Sequence, residues 1–79
     1  MLGPVRRREL RAFANAYAFD SAWARDGDPT DALLAVLMKA ESQRERDYLF
    51  RVFWRDYLTL RARCLAATAR RLHRELRTQ

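Results

Sequence analysis

The chain has 79 residues, of which 49% are hydrophobic, so it is long enough for one small domain with a core of its own. Its net charge of +6 comes from basic ends around a slightly acidic middle, which favours an anionic partner such as nucleic acid, a membrane surface or an acidic protein. The single cysteine, Cys64, excludes an internal disulfide and favours a reduced, cytoplasmic setting, and the longest apolar run, Ala32–Met38, is too short to span a bilayer.

The first predicted helix covers residues 5–25. Pro4 precedes it at a position where the missing N–H is not needed, and Gly27 can adopt the left-handed conformation that ends a helix. Two apolar stripes, Leu10/Phe13/Tyr17 and Ala12/Ala16/Phe19/Trp23, run along this helix. Two stripes predict two packing contacts, either with both other helices or with one of them and a second subunit.

Three consecutive arginines, Arg6, Arg7 and Arg8, lie in the first turn of this helix. Positive charge at a helix N-terminus opposes the helix dipole. A locally unfavourable choice is often made for function, so these arginines are candidate contacts to an anionic partner. A frayed, solvated N-terminus is the alternative explanation.

The second predicted helix covers residues 29–41. Asp28 is the expected N-cap, Pro29 the first helical residue, and Asp31 a favourable charge in the first turn. Because this helix is apolar on nearly every side, it is expected to be buried. Helix capping explains the cluster of aspartates better than a calcium loop, whose ligand pattern Pro29 interrupts.

The third predicted helix covers residues 43–76. Ser42 and Glu45 have the spacing of a capping box, which predicts that a new helix starts here after a kink; one continuous helix is the alternative. No Gly or Pro occurs in residues 30–79. A continuous helix of that length would measure about 75 Å, whereas a compact domain of this size is about 30 Å across. The run must therefore fold back, protrude or pair with a second chain.

The second half of this helix has apolar residues at alternating spacings of four and three. They are Leu58, Ala62, Leu65, Ala69, Leu72 and Leu76. This is the spacing of a coiled-coil seam, and its alanines allow two helices to approach closely. The helix should extend beyond the cover that its own chain provides, so the seam predicts a homodimer.

A second set of residues on the same helix carries positive charge. Arg63, Arg70, Arg74 and Arg77 lie within about 60° of one another around the helix axis. They are candidate contacts to an acidic protein or to nucleic acid, although arginine near a helix C-terminus is also stabilising by itself. Tyr48 lies on the polar side and is a candidate interface aromatic, with a place in the core as the alternative.

Catalysis is not expected from this sequence. His73 and Cys64 are nine residues apart on one predicted helix, too far to form a nucleophile–base pair, and no known cofactor or metal motif is present. We therefore expect no cofactor and no metal.

The sequence predicts a single all-α domain over residues 1–79, a small bundle of two or three helices that is dominated by a long C-terminal helix and is dimeric. The expected function is that of a non-catalytic regulator or inhibitor that binds a larger partner, either an acidic protein surface or a nucleoprotein complex. In size and composition the chain resembles small proteins of phages and other mobile elements. Direct, mainly electrostatic binding to DNA or RNA is the alternative.

Overall fold

The fold is all-α, as predicted. In the computed structural model, which describes residues 2–78, the chain forms α1 (Pro4–Ala22), α2 (Thr30–Met38) and α3 (Gln43–Arg77), and the described residues contain no strand. The dominance of the C-terminal helix is confirmed as well. No helix in the described part of the chain has the length and apolar character that crossing a membrane requires.

The first helix ends at Ala22, three residues before the predicted Arg25. Its end is set by a side chain from far along the sequence: Arg61 Nη1 donates to the carbonyl oxygens of Ala22 at 2.9 Å and of Ala24 at 3.2 Å. In a longer helix, these carbonyls would accept hydrogen bonds from the backbone four residues on. Gly27 then turns the chain with φ 65°, the left-handed conformation expected from the sequence.

The packing face of α1 differs from both predicted stripes. Leu10, Ala14, Ala18 and Ala22 are fully buried, whereas the predicted stripe of Ala12, Ala16, Phe19 and Trp23 is exposed. Of the other predicted stripe, Leu10 is buried, Phe13 is half-buried and Tyr17 is exposed. The stripe of Leu10, Phe13 and Tyr17 is therefore confirmed in part, and α1 contacts both other helices, whereas the second stripe does not pack within the chain. Small residues at every fourth position let α1 lie close against α3.

The second helix begins at Thr30 and its N-cap is Pro29, so the prediction that Asp28 is the N-cap and Pro29 the first helical residue is wrong by one residue. Asp28 lies one residue before the cap and still bonds the first helical residue. Asp28 Oδ1 accepts hydrogen bonds from the Thr30 backbone N–H at 2.9 Å and from its hydroxyl at 2.7 Å. The helix ends at Met38, before the predicted residue 41, and it is not buried all round. Only Val36 is fully buried, while Leu34 and Met38 are 56% and 85% exposed, because this short helix packs on α1 and α3 with one side only.

The break before α3 is confirmed. Ser42 is the N-cap, and its hydroxyl accepts a hydrogen bond from the Glu45 N–H at 3.1 Å. In the usual capping box, the glutamate would accept from the N–H of the cap residue itself. Here Glu45 Oε1 accepts from the N–H of Glu41 at 3.0 Å, one residue earlier, so the carboxylate holds the turn between α2 and α3.

The two halves of α3 have different surroundings. In the first half, Leu49, Val52, Phe53 and Tyr57 are buried against α1 and α2, and no residue from 58 to 78 is buried. The described chain measures 56 × 22 × 13 Å, so its long dimension is the length of α3. We call residues 4–61 the body, and residues 62–77 the projection. The expectation that the helix extends beyond the cover of its own chain is confirmed.

Candidate interaction surfaces

Hydrogen bonds from Tyr57 and Arg61 define the place where the projection extends beyond the body. Besides the bonds from Arg61 to the end of α1, the hydroxyl of buried Tyr57 donates to the carbonyl oxygen of Gly27. These two side chains, one helical turn apart, attach the α1–α2 loop to α3 at the last place where α3 is covered. From residue 62 to residue 78, the hydrogen bonds are those within α3 and its C-terminal cap.

The predicted seam is exposed along its whole length. Leu58, Leu65, Leu72 and Leu76 are 61%, 53%, 49% and 69% exposed, and the two alanines between them, Ala62 and Ala69, are exposed too. The buried residues of the first half of α3 lie on the other side of the helix. The body therefore does not cover the seam, and a continuous apolar strip about 27 Å long faces solvent.

The predicted arginine stripe, Arg63, Arg70, Arg74 and Arg77, lies on the side of α3 away from the seam. All four side chains are exposed. Within residues 2–78, none of their guanidinium groups lies within ion-pair distance of a carboxylate. Their N–H donors are therefore available for bidentate contacts to carboxylate or phosphate.

Arg6 has a different role from its two neighbours. Its Nε and Nη2 donate to the two carboxylate oxygens of Glu45, each at 2.9 Å, and its Nη1 donates to Glu9 at 2.8 Å. The bond from Arg6, together with that from the Glu41 N–H, lowers the pKa of Glu45 from 4.5 to about 2, and the same pair raises the pKa of Arg6. Arg6 thus joins the start of α1 to the start of α3, which is a structural reason for its place in the first turn.

Arg7 and Arg8 are exposed. Arg7 lines an open surface recess of about 510 Å³ between the start of α1 and the start of α3. The other residues around this recess are Leu2, Arg44, Asp47, Tyr48 and Arg51. Tyr48 is half-buried at the rim of the core, and the guanidinium carbon of Arg51 lies 6.0 Å from the centre of its ring. The predicted interface aromatic therefore has a packing role and also an accessible face in a basic setting.

A further apolar surface lies on the outside of α1. The predicted stripe of Ala12, Ala16, Phe19 and Trp23, for which the sequence left open a contact within the chain or with a second subunit, faces away from α3 together with Val5. Val5, Phe19 and Trp23 are 74%, 50% and 46% exposed, and the rings of Phe19 and Trp23 are 6.0 Å apart. The regular spacing of these residues was visible in the sequence, but the spacing alone does not say which of two stripes faces the core.

The side chains that could take part in catalysis or metal binding do not form a site. Cys64 is half-buried, His73 is exposed, and the described residues contain no group of three or more side chains that could hold a metal ion. Comparison of the chain with protein-family models, with curated proteins and with solved structures finds no significant match. The surfaces themselves are therefore the basis for an inference about function.

Proposed function

We propose that this protein is a non-catalytic helical regulator or inhibitor that acts in the cytoplasm by binding a larger macromolecular partner. The arginine stripe of the projection contacts an acidic surface of that partner, either on a protein or on a nucleoprotein complex. The seam holds two copies together. In this proposal, the body supports and orients α3, and the projection makes the contact.

The observation that carries the proposal is the contrast between the two kinds of arginine. Arg6 and Arg61 have protein acceptors, namely the Glu45 carboxylate and the carbonyl oxygens at the end of α1. The stripe of Arg63, Arg70, Arg74 and Arg77 has no carboxylate within ion-pair distance in residues 2–78 and lies on a helix clear of the body. Guanidinium groups that are aligned, exposed and unneutralised favour an anionic partner.

Pairing through the seam is supported by the amount of apolar surface that the second half of α3 leaves in water. Four leucines that are each about half exposed or more lie in one row, with small residues between them. A contiguous apolar row of this kind on a small protein is typical of an interface. The spacing of four and three residues fits another helix, and a second copy of this chain supplies one.

Direct binding to DNA or RNA is the second candidate, and the recess at Tyr48 favours it. An aromatic ring with an accessible face, surrounded by Arg7, Arg44 and Arg51, suits stacking on an unpaired base with phosphate contacts beside it. The arginine stripe would add phosphate contacts along a backbone.

The test is fluorescence anisotropy with short labelled DNA and RNA duplexes, single strands and a labelled polyglutamate peptide, each at low and at physiological salt. The key variant changes Arg70, Arg74 and Arg77 to Glu. The matched control changes Arg11, Arg25 and Arg46 to Glu, which are exposed body residues, so that both variants have the same net charge. Circular dichroism should show that both remain helical.

We expect the stripe variant to lose binding to the anionic probe and the control to retain it. If nucleic acid is the partner, binding persists at physiological salt, and removing three phosphate contacts lowers the slope of log K against log salt by about 3. Nucleic-acid binding that disappears as salt is raised favours the protein partner. Equal loss in both variants would show that only net charge matters and would contradict the assignment of the stripe.

A further inference from the structure

The order of large and small residues in the seam carries information about how two copies pair. Leu58, Leu65 and Leu72 repeat every seven residues, and Ala62, Ala69 and Leu76 form the second row of the same heptad pattern. All six are exposed on the side of α3 opposite its buried residues. The two rows therefore differ in size: one is all leucine, and the other is alanine except at its last position.

In a parallel pair in register, each row meets itself. Ala62 would face Ala62 of the second copy, and Ala69 would face Ala69, so two thin layers would alternate with thick leucine layers. Helix axes that are held apart by leucine leave a void at an alanine layer, and voids in an apolar interface are destabilising. The parallel arrangement thus leaves poorly filled layers at two of the six positions.

In an antiparallel pair, each row meets the other row. With a two-fold axis near Ala67, Ala62 faces Leu72 of the second copy, Leu65 faces Ala69, and Leu58 faces Leu76. Every alanine then packs against a leucine, and all six seam residues of both chains are covered at once. The four central layers then each contain one large and one small residue, which allows close, well-filled helix packing, and a Leu58–Leu76 layer closes each end.

We propose that the projections of two copies pair antiparallel in this register. The inference rests on the dimer included in the proposed function and adds its direction and contacts. The bodies then lie at opposite ends of the pair, and each arginine stripe, being on the side away from the seam, stays accessible on an outer face. The dimer presents two anion-binding surfaces related by two-fold symmetry.

The charges beside the seam support the same direction. Glu75 is the one acidic residue of the projection, and in the antiparallel register it lies beside Arg61 of the second copy, twice per dimer. Arg61 uses Nη1 for the end of α1, and a guanidinium has further N–H donors for a carboxylate. In the parallel register, the residue across from Arg61 is Ala66, so this attraction is absent.

The register is tested by cysteine crosslinking in a Cys64→Ser background. One variant has Ala62→Cys and another has Leu72→Cys, and each is oxidised alone and after mixing the two. An antiparallel pair brings residue 62 of one chain against residue 72 of the other, so crosslinked dimer should form in the mixture and not in either variant alone. The same pattern is expected for Leu65→Cys mixed with Ala69→Cys. This second pair of variants tests the register independently if a substitution in the first pair prevents dimer formation.

Crosslinking of the single variants to themselves would indicate a parallel pair and overturn the register, while the dimer of the proposed function would stand. No crosslinking in any mixture, together with monomeric wild-type protein in sedimentation equilibrium at tens to hundreds of micromolar, would overturn the pairing altogether. In that case, binding of the arginine stripe to the anionic probes would still be decided separately by the anisotropy experiment.

Discussion

Substituting two leucines of α3, one in each half, tests which half of the helix contributes to the free energy of unfolding. Leu49 is fully buried in the body, whereas Leu65 in the seam is 53% exposed. Replacing Leu49 by Ala should lower the free energy of unfolding by about 2–5 kcal/mol, since it removes buried methyl groups and leaves a cavity. In a single chain, Leu65→Ala should change the free energy of unfolding by less than about 0.5 kcal/mol, because no packed neighbour is lost and Ala is a good helix former.

In the paired state, the same two substitutions give a different pattern. Leu65 is then covered by Ala69 of the second copy, so Leu65→Ala weakens the dimer at two symmetric places. The loss becomes visible only at concentrations where wild-type protein pairs. For a dimer that unfolds to two separate chains, each tenfold increase in protein concentration raises the apparent free energy of unfolding by about 1.4 kcal/mol.

The assay is urea denaturation followed by far-ultraviolet circular dichroism, repeated over a wide range of protein concentration. We expect Leu49→Ala to destabilise at every concentration and Leu65→Ala to destabilise only at the upper end. If Leu65→Ala lowers stability as much as Leu49→Ala does in the most dilute samples, the projection is packed against its own body, and our description of α3 is wrong. Wild-type stability that is independent of concentration would contradict the pairing.

Two further predictions concern the contacts that define the body. Gly27→Ala should lower the free energy of unfolding by about 1 kcal/mol or more, because Gly27 has φ 65° and an added Cβ would meet the Arg61 guanidinium. Gly3→Ala, at a negative φ and with open space around it, is the control for adding a Cβ without strain, measured by thermal unfolding. The pKa of Glu45 is lowered from 4.5 to about 2, so its pair with Arg6 contributes stability that is present above about pH 4.5 and is lost as the pH falls towards 2. The stability difference between wild type and Glu45→Gln should therefore shrink over that range.

Both predictions have outcomes that would contradict them. Equal melting temperatures for the two glycine variants would mean that the left-handed turn and its contact with Arg61 do not constrain the loop. A difference between wild type and Glu45→Gln that stays constant from neutral pH to pH 2 would mean that the carboxylate is not held in its charged form by Arg6.

Local signals in the sequence were sufficient to predict the three helices and the breaks between them. The left-handed conformation of Gly27 and the new helix after Ser42 each depend on a few neighbouring residues, and the structure has both. The predicted N-cap of α2 is wrong by one residue, because Pro29 is the cap and Asp28 bonds Thr30 from outside the helix. The uncovered half of α3 also follows from simple lengths, since no other predicted helix is long enough to lie along it. The direction of pairing and the partner remain predictions.

Contacts between distant residues were not predictable in the same way. The sequence predicts that Arg6 opposes the helix dipole and contacts a partner, whereas in the structure it binds Glu45, 39 residues away. One signal could have suggested a partner: Arg6 precedes Leu10 by four residues, so the two side chains lie next to each other at the packing face of α1. The face itself was missed because Ala14 and Ala18 have little hydropathy to distinguish them from surface alanines.

Arg61, which bonds α3 to the end of α1, marks the boundary between two parts of the chain whose backbone amides should exchange hydrogen at different rates. Backbone amides around Leu49 and Phe53 are covered by other helices and should exchange only when the body unfolds. Beyond Arg61, about sixteen residues of helix have no such cover, and a helix of that length is marginally stable in water by itself. Its last turns should therefore open and close while the body remains folded. Whatever binds the projection must also hold those turns helical, so affinity for it depends on how much of the helix is already formed in the free chain.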